Sequence, residues 1–142
     1  MAKSGPIVIV EDDADDREIL EDIFLELNVS NKRVYFDNAP DAFDYLKLTE
    51  DQQCLIISDI NLPKLSGLQF KKQIDSDPEL RNKSIPFVFL STSAEKASVN
   101  QAYKDMTVQG FFKKKNSMQE QKALIELILF YWKECKHPNS AD

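Results

Sequence analysis

Residues 54–67 read CLIISDINLPKLSG: an apolar run, an aspartate at 59 that ends it, a proline at 63 and a glycine at 67. A strand with one wet face alternates polar and apolar positions. An unbroken apolar run instead suits a strand of a parallel sheet that is covered on both faces. Working outward, IVIV at Ile7–Val10 and FVFL at 87–90 have the same character, which places strands at Ile7–Val10, 54–58 and 86–90. Two weaker runs, Arg33–Phe36 and 108–112, complete a set of five. Arg33 opening the second strand, with Asp37 just beyond it, marks that strand as an edge.

Helical periodicity fills the gaps. Ile19, Leu20, Ile23, Phe24 and Leu27 recur at helical spacing behind Asp13, Asp15 and Asp16. Carboxylates in that position suit the free N–H groups and positive dipole end of a helix start. A short helix is expected at 41–48, with Pro40 at its first turn. Leu68, Phe70 and Ile74 mark a third helix, 94–103 a fourth, and 119–135 the fifth and longest. The polar segment DSDPELRNKS at 75–84 reads as a long loop. Five strands alternating with five helices make a chain of βα units, and right-handed crossovers then put helices on both faces of a parallel sheet.

The chain has 142 residues, about one domain, and 42% of them are hydrophobic, enough for a core. Its 18 basic and 24 acidic side chains leave a net charge of −6. That argues against a general nucleic-acid binder, which needs a basic footprint. No apolar run approaches the ~20 residues of a membrane span, and Ile7–Val10 is too short for the core of a signal peptide. Cys54 and Cys135 lie far apart without metal-ligand spacing, and read as reduced thiols of a cytoplasmic protein.

Ligands of an open parallel sheet bind beyond the carboxyl ends of its strands. Glu11, Asp12 and Asp13 follow the first strand and Asp59 the third; Ser91 and Thr92 follow the fourth, and Lys113, Lys114 and Lys115 the fifth. Singly, each has a plain reading: acids and hydroxyls cap helices, an aspartate turns the chain, and lysines are solvated. Together on one rim they suit the movement of a phosphoryl group. Clustered carboxylates bind a hard cation such as Mg2+. The cation offsets repulsion between Asp59 and an anionic donor, leaving an Asp59 oxygen to attack phosphorus. An amine and a hydroxyl can hold the remaining phosphoryl oxygens. With three glycines in the whole chain and no Gly-rich loop, a nucleotide cradle is not expected.

In order along the chain, VEDD at 10–13, SDINLPKLSG at 58–67, FLST at 89–92 and GFFKK at 110–114 resemble the motifs of response-regulator receiver domains, which are CheY-like. The resemblance implies a flavodoxin-like (βα)5 fold, a doubly wound five-stranded parallel sheet in the order 2-1-3-4-5. It implies a receiver domain at 6–134, a tail at 135–142 and no output domain. The VEDDADD opening is similar to that of bacterial phytochrome response regulators. Carried over by position, Asp59 is the phosphoacceptor. Glu11 and Asp12 are the acidic pair, with Asp12 on Mg2+ directly and Glu11 nearby or through water, and Asn61 offers the metal its backbone carbonyl. Ser91 turns its hydroxyl to the phosphoryl group, Lys114 pairs with that group, and Phe111 is the aromatic switch. Asp13, one beyond the pair, is read as a helix cap first. Two departures stand out. Lys115 occupies the place of a proline that usually follows a cis bond, so a trans or rebuilt loop is expected. Phe111 lacks the hydroxyl of a tyrosine, so a switch there must run on packing.

The function implied is that of a single-domain two-component response regulator. It accepts a phosphoryl group from a histidine kinase or histidine phosphotransfer protein, and signals through changed protein contacts. It is not read as an enzyme, although it assists its own phosphorylation and dephosphorylation. The alternative is a phosphorylation-independent interaction module, against which stands the retention of Glu11, Asp12, Asp59, Ser91 and Lys114. A Mg2+-dependent phosphohydrolase needs a second acid where Asn61 stands, and a flavin carrier needs a phosphate loop after the first strand. In LIELILFYW at 124–132 the apolar positions span roughly 260° of the helix, against a core-facing stripe of ~100°. Leu124, Ile128 and Tyr131 share one side, and Leu127 and Phe130 extend the arc. Either the 75–84 segment or the tail covers the excess, or it meets a partner. The favoured reading is a partner or homodimer surface formed by helix 94–103, strand 108–112 and helix 119–135. His137, beside Pro138, reads as exposed rather than as a relay residue.

Overall fold

Asp13, Asn38, Ser66, Asp77 and Ser117 each accept a hydrogen bond from a backbone N–H of the turn that follows, and these caps fix where five of the helices begin. In the computed structural model, which describes residues 2–92 and 95–136, a 3-10 turn at Ala2–Ser4 leads into β1 (Ile7–Val10) and α1 (Ala14–Glu26). There follow β2 (Arg33–Phe36), α2 (Ala39–Leu48), β3 (Leu55–Ser58), α3 (Gly67–Ser76), α4 (Pro78–Lys83) and β4 (Phe87–Ser91). The chain continues through α5 (Lys96–Asp105), β5 (Gly110–Lys113) and α6 (Met118–Glu134).

All five strands are parallel, in the order β2-β1-β3-β4-β5, which is the flavodoxin-like arrangement that the resemblance implied. Strand β2 is an edge and half-buried throughout, as Arg33 indicated. Alternate residues feed two cores. Val8, Val10, Ile56, Phe87 and Phe89 face α2, α3, α4 and α5, while Ile7, Ile9, Leu55, Ile57, Val88 and Leu90 face α1 and α6. Both faces are thus dry, which is why these strands carry unbroken apolar runs.

The structure corrects two expectations and refines a third. The polar segment 75–84 holds a helix, α4, so the helices number six among the described residues. Asp77 caps it by accepting from the Leu80 N–H at 3.0 Å, Pro78 occupies its first turn, and Leu80 is buried in the core. Only part of the side shared by Leu124, Ile128 and Tyr131 on α6 turns inward. The buried stripe is Gln121, Ile125 and Ile128, and Tyr131 is 59% exposed, beside Leu127 at 60% and Phe130 at 63%. The 75–84 segment does not cover them, because Leu80 packs into the core on the opposite face of the sheet. Finally, several boundaries move by a residue or two: β4 extends to Ser91, β5 runs Gly110–Lys113 and α5 begins at Lys96. Ser93, Ala94 and His137, along with the rest of 137–142, lie outside the described residues.

Candidate functional site

Register assembles the rim. Val10 pairs with both Phe36 and Ser58, Ser58 with Phe89, and Ser91 with Lys113. Strands β1 and β3 therefore end level, and the next residues emerge side by side. The Asp59 N–H donates to the Val10 carbonyl at 3.0 Å, and the Lys114 N–H to the Ser91 carbonyl at 2.9 Å.

Asp59 is the centre and is only 7% exposed. Its Oδ1 accepts from the Ile60 N–H at 2.6 Å, the Asn61 N–H at 3.3 Å and Ser91 Oγ at 2.7 Å. Its Oδ2 accepts from Lys114 Nζ at 3.1 Å. The motif downstream explains its own spacing: Gly67 packs so close that a Cβ there would lie 2.0 Å from the Asp59 carbonyl oxygen. The Gly67 N–H also donates to the Ile60 carbonyl at 2.8 Å, closing the loop against the strand end. Only glycine allows that approach.

Glu11 is buried and Asp12 exposed. Lys114 Nζ donates to Glu11 Oε1, and Glu11 Oε2 accepts the Asp13 N–H at 3.2 Å. Burial pushes the Glu11 carboxyl up to about 7; the Lys114 hydrogen bond and charge oppose this, and the Asp59 charge adds to it. Burial alone would lower the Lys114 ammonium. Hydrogen bonds to Asp16 and Glu11, with the charges of Glu11 and Asp59, outweigh burial and raise it. Asp13 is a cap: its Oδ1 accepts from the Asp15 N–H at 2.8 Å and the Asp16 N–H at 3.2 Å. Glu11, Asp12 and Asp59 each bring a carboxylate oxygen within 4.8 Å of the other two. An all-oxygen donor set at that spacing fits a hard divalent cation.

Of Lys113, Lys114 and Lys115, Lys114 enters the site. Lys113 pairs with Ser91 in the sheet and is exposed, and so is Lys115. No peptide bond among the described residues is cis, so the Lys114–Lys115 bond is trans. The Lys115 N–H donates to Oε1 of the buried Gln121 at 2.8 Å. Phe111 is half-buried, its ring centroid 5.6 Å from that of Phe89. Asn61 is exposed two residues beyond Asp59.

Two members of the site escaped the sequence reading. Asp16 Oδ2 accepts from Lys114 Nζ at 2.8 Å, and Gln121 holds the following loop. Both signals were present. Asp16 continues the buried α1 stripe of Leu20 and Ile23 toward the helix start, and Gln121 does the same for Ile125 and Ile128 on α6. A polar side chain on an inward stripe calls for a partner.

A doubly wound parallel sheet with an aspartate, a hydroxyl, an amine and two further acids at its carboxyl rim defines the receiver class of α/β proteins. The response regulator receiver domain family matches residues 7–126, and the chain belongs to that family. A probable chemotaxis protein CheY of Rhizobium etli is 26% identical over 129 residues, 90% of this chain and 95% of the relative. The response regulator Rcp1 of Synechocystis is 24% identical over 133 residues, 90% of this chain and 88% of its own length. The crystal structure of the phosphorylated cyanobacterial phytochrome response regulator RcpA superposes with a TM-score of 0.83 at 26% identity, covering 94% of this chain and 98% of that one. The Mn2+-bound form of Rcp1 shares the fold with a TM-score of 0.78 at 23% identity over 94% and 98% of the two chains. Phytochrome response regulators are thus among the structural neighbours, as the VEDDADD opening indicated.

Proposed function

We propose that this chain is a phosphorylation switch of a two-component pathway that accepts a phosphoryl group on Asp59. The carrying observation is one carboxylate bracketed on its two oxygens by Ser91 Oγ at 2.7 Å and Lys114 Nζ at 3.1 Å. A histidine kinase or histidine phosphotransfer protein is the donor. An Asp59 oxygen attacks phosphorus, the P–N bond to the donor imidazole breaks as the P–O bond forms, and the imidazole departs with its proton. The Ile60 and Asn61 N–H groups keep the carboxylate aimed during this step. The Ser91 hydroxyl and Lys114 ammonium bind phosphoryl oxygens as negative charge redistributes over them.

Glu11, Asp12 and Asp59, with the Asn61 carbonyl, would hold Mg2+, which offsets the repulsion between carboxylate and donor when bound. Support comes from the spacing of the three carboxylates and from Rcp1, whose structure is a Mn2+-bound form. The domain acts as a stoichiometric switch rather than as an enzyme that turns over a separate substrate. Movement of Ser91 and Lys114 toward the new phosphoryl group is passed to Phe111, which repacks against Phe89 and alters the α5–β5–α6 face. Leu127, Phe130 and Tyr131, exposed on α6, are the surface for a protein partner or a second copy. The free thiols of Cys54 and Cys135 suit a cytoplasmic setting.

Incubation with acetyl phosphate and Mg2+ followed by intact mass is the test. The wild type should gain one hydrolytically labile phosphoryl group and Asp59→Asn none. A wild type without an adduct would be a phosphorylation-independent interaction module. Sedimentation over a concentration series tests self-association, and a strict monomer with and without phosphoryl donor would overturn the homodimer.

A further inference from the structure

Lys114 Nζ touches three carboxylates, and they are not equivalent. Glu11 and Asp59 belong to the oxygen set that suits a divalent cation; Asp16, whose Oδ2 lies 2.8 Å from Nζ, does not. Asp16 is also placed by the backbone. It is the third residue of α1, its N–H donates to the capping Oδ1 of Asp13 at 3.2 Å, and it lies on the stripe that continues into Leu20 and Ile23.

An ammonium and a divalent cation draw on the same two carboxylates, those of Glu11 and Asp59. Were Lys114 paired with those two alone, it would either obstruct the cation or be driven from the rim as the cation arrived. A third carboxylate outside the set removes the conflict, because Lys114 can shift its hydrogen bonds to Asp16 and stay beside Asp59. We propose that Asp16 is a positioning residue for Lys114. It holds the ammonium at the rim while Glu11 and Asp59 turn to a divalent cation, so that both positive charges flank Asp59 together. This rests on the cation-binding part of the proposed function and not on phosphoryl acceptance.

The test is Mn2+ affinity of the full chain without phosphoryl donor, measured by electron paramagnetic resonance of the free ion. The variants are Asp16→Ala, Asp16→Asn, Lys114→Met and the Asp16→Ala/Lys114→Met double variant, each checked for folding by thermal melt. Asp16→Ala should weaken binding about tenfold, the size of one charge-assisted contact, because the whole ammonium then falls on Glu11 and Asp59. Asp16→Asn keeps an accepting oxygen and should fall between Asp16→Ala and wild type. Lys114→Met should bind more tightly than wild type, and in that background Asp16→Ala should have little further effect. Equal weakening by Asp16→Ala with and without Lys114 would mean that Asp16 acts only through net charge, and would overturn the proposal alone. A wild type that binds no Mn2+ would overturn it together with the cation site. Acetyl phosphate labelling reports separately on Asp59 as phosphoacceptor.

Discussion

Lys115 donates its backbone N–H to Oε1 of Gln121 across 2.8 Å, and Gln121 is buried in the first turns of α6. A proline at 115 would have no N–H to give. This chain therefore fastens the loop after Lys114 with a side chain from the next helix instead of with a stiff ring. Gln121→Leu should lower stability by about 1 kcal/mol, and Lys115→Pro by about 1–3 kcal/mol because it leaves a buried amide oxygen unpaired. Combined, the two should cost less than their sum, since each removes the same bond. Urea midpoints of the four proteins check this, and strict additivity would sink it.

Gly67 lies against the backbone of the Asp59 segment, and a Cβ there meets the Asp59 carbonyl oxygen at 2.0 Å and Ile60 Cα at 2.9 Å. Backbone cannot step aside as a side-chain tip can. Gly67→Ala is expected to cost about 2–3 kcal/mol and to slow acetyl phosphate labelling by displacing Asp59. A variant with wild-type melting temperature and labelling rate would contradict the close approach.

Gln53 is fully buried, and neither its Oε1 nor its Nε2 has a hydrogen-bond partner among the described residues. A desolvated amide is a cost that a methionine of similar length does not carry. Gln53→Met should raise stability by about 1 kcal/mol in chemical denaturation; a lower midpoint would show that the amide makes bonds in solution.

Asp75 ties α3 to the segment before β5. It accepts from Lys71 Nζ at 2.8 Å, from Thr107 Oγ1 at 2.8 Å and from the Thr107 N–H at 3.1 Å. Burial alone would raise its carboxyl, but the Lys71 and Thr107 hydrogen bonds and the Lys71 charge outweigh burial and hold it below its ordinary value. With the folded value below the unfolded one, the stabilisation is complete above the ordinary carboxylate range and is lost as pH falls through it toward the folded value. Asp75→Asn should cost about 2–4 kcal/mol at neutral pH, because it removes the charge opposite the Lys71 ammonium, whose side chain is only 4% exposed. The gap between the two proteins should narrow as the pH is lowered toward 3. A gap that stays constant would rule out the ion pair as its source.

The sheet and Asp59 were legible because their signals are local. Doubly covered strands need unbroken apolar runs, and the acid that closes the third run must project at the carboxyl rim. What escaped was carried by pairing across the fold. Asp16 looks like any acid at a helix start until Lys114, just past β5, is seen to reach it. Gln121 looks like solvated helix until the Lys115 N–H arrives. Helix α4 hid behind its composition: the Asp-Pro-Glu-Leu start at 77–80 is a capping signal, but one buried leucine in a ten-residue, mostly polar segment gives no periodicity to read. The outward turn of Tyr131 followed from which α6 stripe met the sheet, a choice that the nearly all-apolar stretch 124–132 leaves open.

Lys114 follows Glu11 by 103 positions. During synthesis, Glu11, Asp16 and Asp59 leave the ribosome long before the ammonium that later joins all three. A nascent chain that has paired β1, β2 and β3 already crowds Glu11, Asp12, Asp16 and Asp59 at one end, and that crowding opposes early closure of the sheet. The arrival of β5 does more than add an edge strand: it delivers the neutralising charge. Dissolved salt and divalent ions should therefore stabilise the unfinished fold more than the finished one, and the last strand acts as an electrostatic latch on the first.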